Sequence, residues 1–312
     1  GLKAICEALL GAITHHEPGV FADKDDEFLH QFRVSTRRTR SALSALKTVF
    51  PPDVMDHFRG EFRWLQQTTN EARDLDVWLI ELKRYRADVP TVAHAGLTKL
   101  AKFINKERIA AYDTIRTQID TPRYAQLVED WGEFVRSEVP KKPANSEAGR
   151  DIKTVAAKRI FKAWKRLVVD GRALDPDGPV EPLHALRIRG KKLRYLMGFF
   201  AGLFPAADIA PLQPPLKALQ DVLGTLNDLY LQQLSLRSFA EKLHDAGKAD
   251  IDTLLAIGRL SQALTHREAA TRQHFVSAFA AVASLEATQA YRSLFRGRKI
   301  AASEVAASEV AA

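Results

Sequence analysis

Two stretches decide the fold: HQFRVSTRRTRSALSALKTVFP at residues 30–51 and LHALRIRGKKLRYLMGFFAGLFP at residues 183–205. At a shift of 154 residues, His30 falls on His184, Arg33 on Arg187, Val34 on Ile188, Arg37 on Lys191, Arg38 on Lys192 and Arg40 on Arg194. The register continues without a gap. Phe50–Pro51 meets Phe204–Pro205, Arg63 meets Lys217, Leu65–Gln66 meets Leu219–Gln220, and Asp74–Leu75 meets Asp228–Leu229. Such agreement predicts two homologous halves, residues 1–139 and 150–300, joined by a linker, PKKPANSEAG, at 140–149. Residues 301–312, built on a repeated SEVAA unit, read as a frayed helix or a disordered tail.

Both stretches carry helical periodicity, and no β-branched alternation bounded by hairpin turns occurs, so the expected class is all-α. Proline and glycine gather at 17–19, 50–52, 175–182 and 204–215 and punctuate the helices. Helices are expected near 2–16, 24–49, 53–69, 72–88, 92–119 and 123–138. The second half is expected to follow with 150–169, 180–203, 207–224, 226–245 and a broken 249–294.

Composition narrows the function. The 312 residues are 46% hydrophobic and 27% charged, those of a globular protein able to bury a core without staples. A single cysteine, Cys6, excludes an intramolecular disulfide framework and fits a reducing compartment such as the cytoplasm. No apolar run approaches a membrane span, and no signal-peptide pattern opens the chain, which begins at Gly1 rather than Met. The net charge of +8 favours anionic partners without choosing among them.

The distribution of charge chooses more. Residues 30–50 hold Arg33, Arg37, Arg38, Arg40 and Lys47 and no acid; residues 184–204 hold Arg187, Arg189, Lys191, Lys192 and Arg194 and again no acid. At about 100° per residue, His30, Arg33, Arg37, Arg40 and Lys47 share one helix face. His184, Arg187, Lys191 and Arg194 share the matching face, with Arg38 and Lys192 on the flanks. Phe28, Phe32, Leu43 and Phe50, and likewise Leu186, Leu193, Met197, Phe200 and Phe204, lie on the apolar sides. A solvated face normally mixes acids with bases at i,i+4. A face of cations alone leaves repulsion that an anionic ligand would relieve. On the next helix Arg63, Gln66, Asn70 and Arg73 form a further polar face, matched by Lys217, Gln220, Gly224 and Asn227. Their donors suit phosphate oxygens or hydrogen bonds between helices. Asp74 and Asp228 read as caps or orienting ion-pair partners.

Catalytic signatures are scarce. There is no phosphate-binding GxxxxGK[ST] loop and no dinucleotide glycine fingerprint. Cys6 reads as core, and His15, His16 and His30 lack a metal-ligand spacing. No catalytic residue, metal or cofactor is assigned. Surrounding cations are expected to depress the pKa of His30 and His184.

With those residues in place, the chain resembles a CHAD domain, the α-helical domain named for its histidine. The segments NEARDLDVWLIEL (70–82), ALQDVLGTLNDL (218–229) and IDTPRYAQLV (119–128) extend the resemblance over residues 1–300. It implies one domain of two four-helix-bundle halves about a pseudo-twofold, with a basic central groove or channel. It also implies binding of inorganic polyphosphate and association with polyphosphate granules. Carried over by position, the ligand-lining residues are His30, Arg33, Arg37, Arg38, Arg40, Arg63 and Arg73 in the first half, and His184, Arg187, Lys191, Lys192, Arg194 and Lys217 in the second. Asn227 departs from Arg73, so unequal grip by the two halves is expected. The residues leave two alternatives open: a nucleic-acid or general polyanion binder, and a phosphotransfer or phosphohydrolase enzyme using the histidines. The aromatic residues lie mainly on the apolar faces, with Tyr195 the exception, which argues against single-stranded nucleic acid.

Overall fold

The computed structural model describes residues 2–46, 52–138 and 151–296. Lys47, Phe50, the 140–149 linker and the 301–312 tail, all singled out above, lie outside the described residues. Every regular element described is helical, in agreement with the all-α expectation, and no strand occurs among the described residues. None of these helices is long and apolar enough to cross a membrane.

The chain forms two compact units. The first comprises Gly1–Gly149 with Phe239–Leu260, the second Arg150–Ser238 with Ser261–Ala312. In the first unit, α1 (Leu2–Phe21) packs on α2 (Asp26–Leu46), followed by α3 (Pro52–Thr68), α4 (Asn70–Tyr85), α5 (His94–Ile119) and α6 (Pro122–Arg136). In the second, α7 (Ile152–Arg172) packs on α8 (Val180–Phe200). A short α9 (Ala206–Ile209), α10 (Gln213–Asp245), α11 (Ile251–Val282) and α12 (Leu285–Arg296) follow. Both ends of α8 lie 154 residues after those of α2.

Local chemistry sets the helix starts. Asp25 accepts from the backbone N–H groups of Glu27 (2.9 Å) and Phe28 (3.3 Å) to open α2. Asp151 does the same for Thr154 (3.0 Å) at α7, and Asp250 for Thr253 (2.8 Å) at α11. Pro122 occupies the first turn of α6, where its missing N–H costs nothing.

Two helices run further than expected. α1 was expected to stop at residue 16, yet it passes through Pro18 to Phe21. Pro18 forfeits one helical bond, but the turn it sits in buries Val20 and brings Gly19 against the ring of Phe28. A break was expected near Gly224, and α10 instead continues through it. In the first unit the matching place is interrupted: Thr69 lies between α3 and α4, at φ −97° and ψ 0°.

Apolar faces close each unit. In the first, Phe58 and Phe62 pack edge-on against Trp131, and Trp78 packs edge-on against Phe239. In the second, Trp164 stacks on Tyr291 with centroids 4.8 Å apart, beside Leu167, Leu186, Leu193, Leu219 and Leu223. A buried ion network secures the first unit. Asp76, fully shielded from solvent, accepts from Arg108 Nε (2.5 Å) and from the Tyr112 hydroxyl (2.9 Å). The other side of the Arg108 guanidinium grips Asp23 in the turn between α1 and α2. Burial pushes the Asp76 carboxyl up, and the bonds from Arg108 and Tyr112 oppose that push.

Close approach at two helix glycines gives a test of this packing. A Cβ at Gly19 would overlap the Phe28 ring, and one at Gly171 the Phe279 ring. Gly11 and Gly60 face open space. Alanine normally stabilises a helix interior by up to about 1 kcal/mol relative to glycine. We expect that gain for Gly11→Ala and Gly60→Ala. For Gly19→Ala and Gly171→Ala we expect losses of about 1–3 kcal/mol from overpacking. Urea unfolding of the four variants measures both signs.

Candidate anion-binding faces

The apolar side of α2 buries Leu29, Phe32, Ala42 and Leu43. This fixes the rotation of the helix and turns His30, Arg33, Arg37 and Arg40 together to one side, as their spacing requires. Their surroundings then differ along the helix.

Near the start of α2, Arg33 reaches the junction of α3 and α4. Its Nη1 donates to the carbonyl of Gln66 (3.0 Å) and to Thr69 Oγ1 (2.7 Å), and its Nη2 to Asn70 Oδ1 (2.9 Å). Burial, with Arg37 and Arg73 adding to it against the opposing charge of Asp74, pushes its pKa down to about 10. Arg73 donates to both the backbone carbonyl and the side chain of Asp26, each at 3.3 Å. The pKa of His30 is lowered by burial first and then by Arg73, with Arg37 adding to them against the opposing charges of Glu27 and Asp26. That is the direction expected from its cationic neighbours.

Further along, Arg40 faces Arg63 and Arg59 of α3; burial lowers its pKa, and these two cations lower it further. Arg59 is a member that the sequence reading passed over. The signal was its i,i+4 spacing from Arg63, masked by Asp56 three residues earlier, with which it pairs at 3.1 Å. Arg37 and Arg38 are exposed, and neither they, Arg40 nor Arg63 pairs with a carboxylate among the described residues. Two adjoining clusters therefore occur on this face: His30, Arg33, Arg37 and Arg73, and Arg40, Arg59 and Arg63.

The α8 face is built differently. His184 Nδ1 meets Asn227 Oδ1 at 2.5 Å, while Asn227 Nδ2 donates to Asp228 at 3.2 Å. The amide nitrogen is thus engaged, so the imidazole proton sits on Nδ1 and Nε2 is left for another partner. Arg187 stands 3.8 Å from Asp228, and its buried Nε makes no hydrogen bond among the described residues. The contrast with Arg33 has a plain cause: Thr69 and Asn70, which supply acceptors to Arg33, are matched by Leu223 and Gly224, which supply none. Gln220 donates to the carbonyl of Gly190 at 2.7 Å, tying α10 to α8. Lys192 and Arg194 are exposed on α8, with the Arg194 guanidinium 5.7 Å from the Tyr195 ring centre, and Lys191 is half-buried beside them. Lys217 pairs with Asp221 at 2.6 Å on the surface of α10. Arg189 pairs with Asp170 of α7.

The amides Asn70, Gln220 and Asn227 are thus engaged in bonds between helices. Arg33 likewise has a structural duty that Arg37 lacks. Arg33→Ala should lower stability by about 1.5–3 kcal/mol, since it removes charge-assisted hydrogen bonds and leaves acceptors unpaired. Arg37→Ala should change it by less than about 0.5 kcal/mol. Urea unfolding without ligand checks the difference.

The comparisons with known proteins agree with this architecture. The crystal structure of the CHAD domain from the plant Ricinus communis superposes with a TM-score of 0.69 at 26% identity, covering 89% of this chain and 91% of that one. PptA from Streptomyces chartreusis shares the fold, with a TM-score of 0.65 at 19% identity, covering 89% of this chain and 97% of that one. No curated protein matches the chain. The family model described as CHAD domain matches residues 4–237, three quarters of the sequence, and the chain belongs to the CHAD domain family.

Proposed function

We propose that the protein binds inorganic polyphosphate and does so without catalysing its turnover. The observation that carries this reading is the set Arg37, Arg40 and Arg63, cations on α2 and α3 with Arg38 on their flank, none with a carboxylate partner among the described residues. Repulsion among them is relieved by a ligand that brings negative charge and many acceptor oxygens. The α8 face, which carries His184, Arg187, Lys191, Lys192 and Arg194, offers a second such surface. Membership of the CHAD family supports the same ligand. On this reading residues 1–300 form one domain of two repeats, and binding attaches the protein to cytoplasmic polyphosphate granules. Polyphosphate asks only for charge and donors. Nucleic acid would profit from stacking platforms, but Phe32 and Phe204 are buried, and Trp64, next to Arg63, already has the Arg123 guanidinium over its ring at 4.2 Å; Tyr195 adjoins the α8 cations.

Long-chain polyphosphate is therefore expected to bind more tightly than single-stranded DNA of equal charge, with a log–log salt slope of about −0.7 per phosphate contact. The pair Arg37→Glu with Arg40→Glu, and separately Lys191→Glu with Arg194→Glu, should weaken binding by on the order of tenfold at moderate salt. Arg84→Glu with Arg86→Glu provides the net-charge control, since Arg84 is already paired with Glu81 and Arg86 donates to Thr98. Equal losses from all three pairs, or tighter binding of DNA, would overturn the reading. Phosphate release from polyphosphate or nucleoside triphosphates with added divalent metal would favour the enzyme alternative.

The histidine on α2 predicts a pH dependence. In the free protein, burial and the neighbouring Arg73 and Arg37 hold the His30 pKa below the ordinary imidazole range. A bound oxyanion favours imidazolium and raises that value. Binding should then take up a proton: it strengthens as pH falls through the bound-state pKa, and the gain is complete below the free-state pKa. His30→Ala should flatten this dependence while substantial affinity remains, because the arginines stay charged. Imidazole NMR titration with and without polyphosphate reads the shift, and an unchanged pKa at saturation would assign His30 a purely structural role.

A further inference from the structure

Helix α7 carries a third acid-free basic run that the two repeat signatures do not include. Residues 152–169 hold Lys153, Lys158, Arg159, Lys162, Lys165 and Arg166 and no acid. The buried side of α7 is Ala156, Ile160, Trp164, Leu167 and Val168. Lys158, Lys162, Lys165 and Arg166 fall on the opposite side, and all four are exposed. None makes a hydrogen bond or ion pair with another described residue. The acid that follows, Asp170, is paired with Arg189 of α8 and does not neutralise them. Spacings of three and four residues set cation beside cation, an arrangement that destabilises an unliganded helix. The duplication does not account for it: α1, which packs on α2 as α7 packs on α8, carries Lys3 as its sole Lys or Arg, together with Glu7 and Glu17.

We propose that the outer face of α7 is a further contact for inorganic polyphosphate, engaged by chains long enough to continue beyond the α8 face. The inference rests on the polyphosphate reading above and adds a length-dependent site to it. Three observations select this occupant among polyanions. From Lys158 to Arg166 the cations extend about 12 Å along the axis, so a compact anion meets one or two of them and a linear one meets all. The aromatic residues of α7 point elsewhere: Trp164 stacks on Tyr291, and Phe161 lies under Arg296, 5.3 Å from its guanidinium. The face thus lacks the stacking surfaces that favour bases. It also lacks the bulky apolar side chains that anchor an interfacial helix: the exposed apolar residues of α7, Ile152 and Val169, both lie outside residues 158–166. A chain already held on α8 would present its next phosphates to α7 at high effective concentration.

The test compares long-chain polyphosphate with tripolyphosphate on the full chain carrying Lys158→Glu, Lys162→Glu and Lys165→Glu together. A second variant carries glutamine at the same three positions, in case three new acids disturb the helix. Lys83, Lys102 and Lys106, exposed on α4 and α5, are reversed together as the net-charge control. Long-chain affinity should fall roughly tenfold or more and the salt slope should shrink by about 2, the loss of three single-strand-type contacts. Tripolyphosphate affinity should hold. In contrast, Lys191→Glu with Arg194→Glu should weaken both ligands. If the parent binds long chains and the α7 variants bind them equally well, or no worse than the control, the α7 contact is refuted while the polyphosphate reading stands. If the parent binds no polyphosphate, both fall. Loss of single-stranded DNA or anionic-vesicle binding alone in the α7 variants would also overturn the proposal, assigning the face to that partner.

Discussion

Repulsion between like charges is the constraint that the basic face of the first unit has to withstand. Arg40 beside Arg59 and Arg63, and Arg33 beside Arg37 and Arg73, would separate if the helices were free to rotate. They are not free, because the other sides of α2 and α8 are buried in apolar cores built from Leu29, Phe32 and Leu43, and from Leu186, Leu193 and Met197. Fully burying a leucine or phenylalanine contributes about 1.5–3 kcal/mol. A surface charge pair contributes or costs under about 1 kcal/mol. The cores therefore outweigh the repulsion and hold the cations in place.

The two histidine-bearing helices, alike in residue spacing, differ in their surroundings. Arg33 and Arg187 occupy matching positions, but the first is met by Thr69 and Asn70 and the second by Leu223 and Gly224. The same difference appears in the backbone, interrupted at Thr69 and continuous through Gly224. His30 sits among arginines, whereas His184 is fixed by the oxygen of Asn227, at the position where the first half has Arg73.

Much of this was legible in the sequence because periodicity and charge are local properties. The helical class and the basic faces of α2 and α8 followed from residue spacing alone. The partners did not, because they depend on which helix lies opposite. Nothing in the spacing of Arg33 says that it points into the α3–α4 junction, or that Asp26 meets Arg73. Arg59 was hidden by its neighbour Asp56, and the lysines of α7 by their absence from the first half. The C-terminal end of α1 and the course of α10 were misjudged for another reason. Proline and glycine set a local cost, and whether that cost ends a helix depends on what the next turn buries, here Val20 in the one case and Leu226 in the other.

The unsatisfied Nε of Arg187 has a thermodynamic consequence. A buried donor without an acceptor costs the fold about 1–3 kcal/mol. Any oxyanion that supplies the missing acceptor returns that cost in addition to its charge attraction. If an anion reaches Arg187, its binding and the stability of this part of the second unit are then linked, because the same unpaired donor weighs on both.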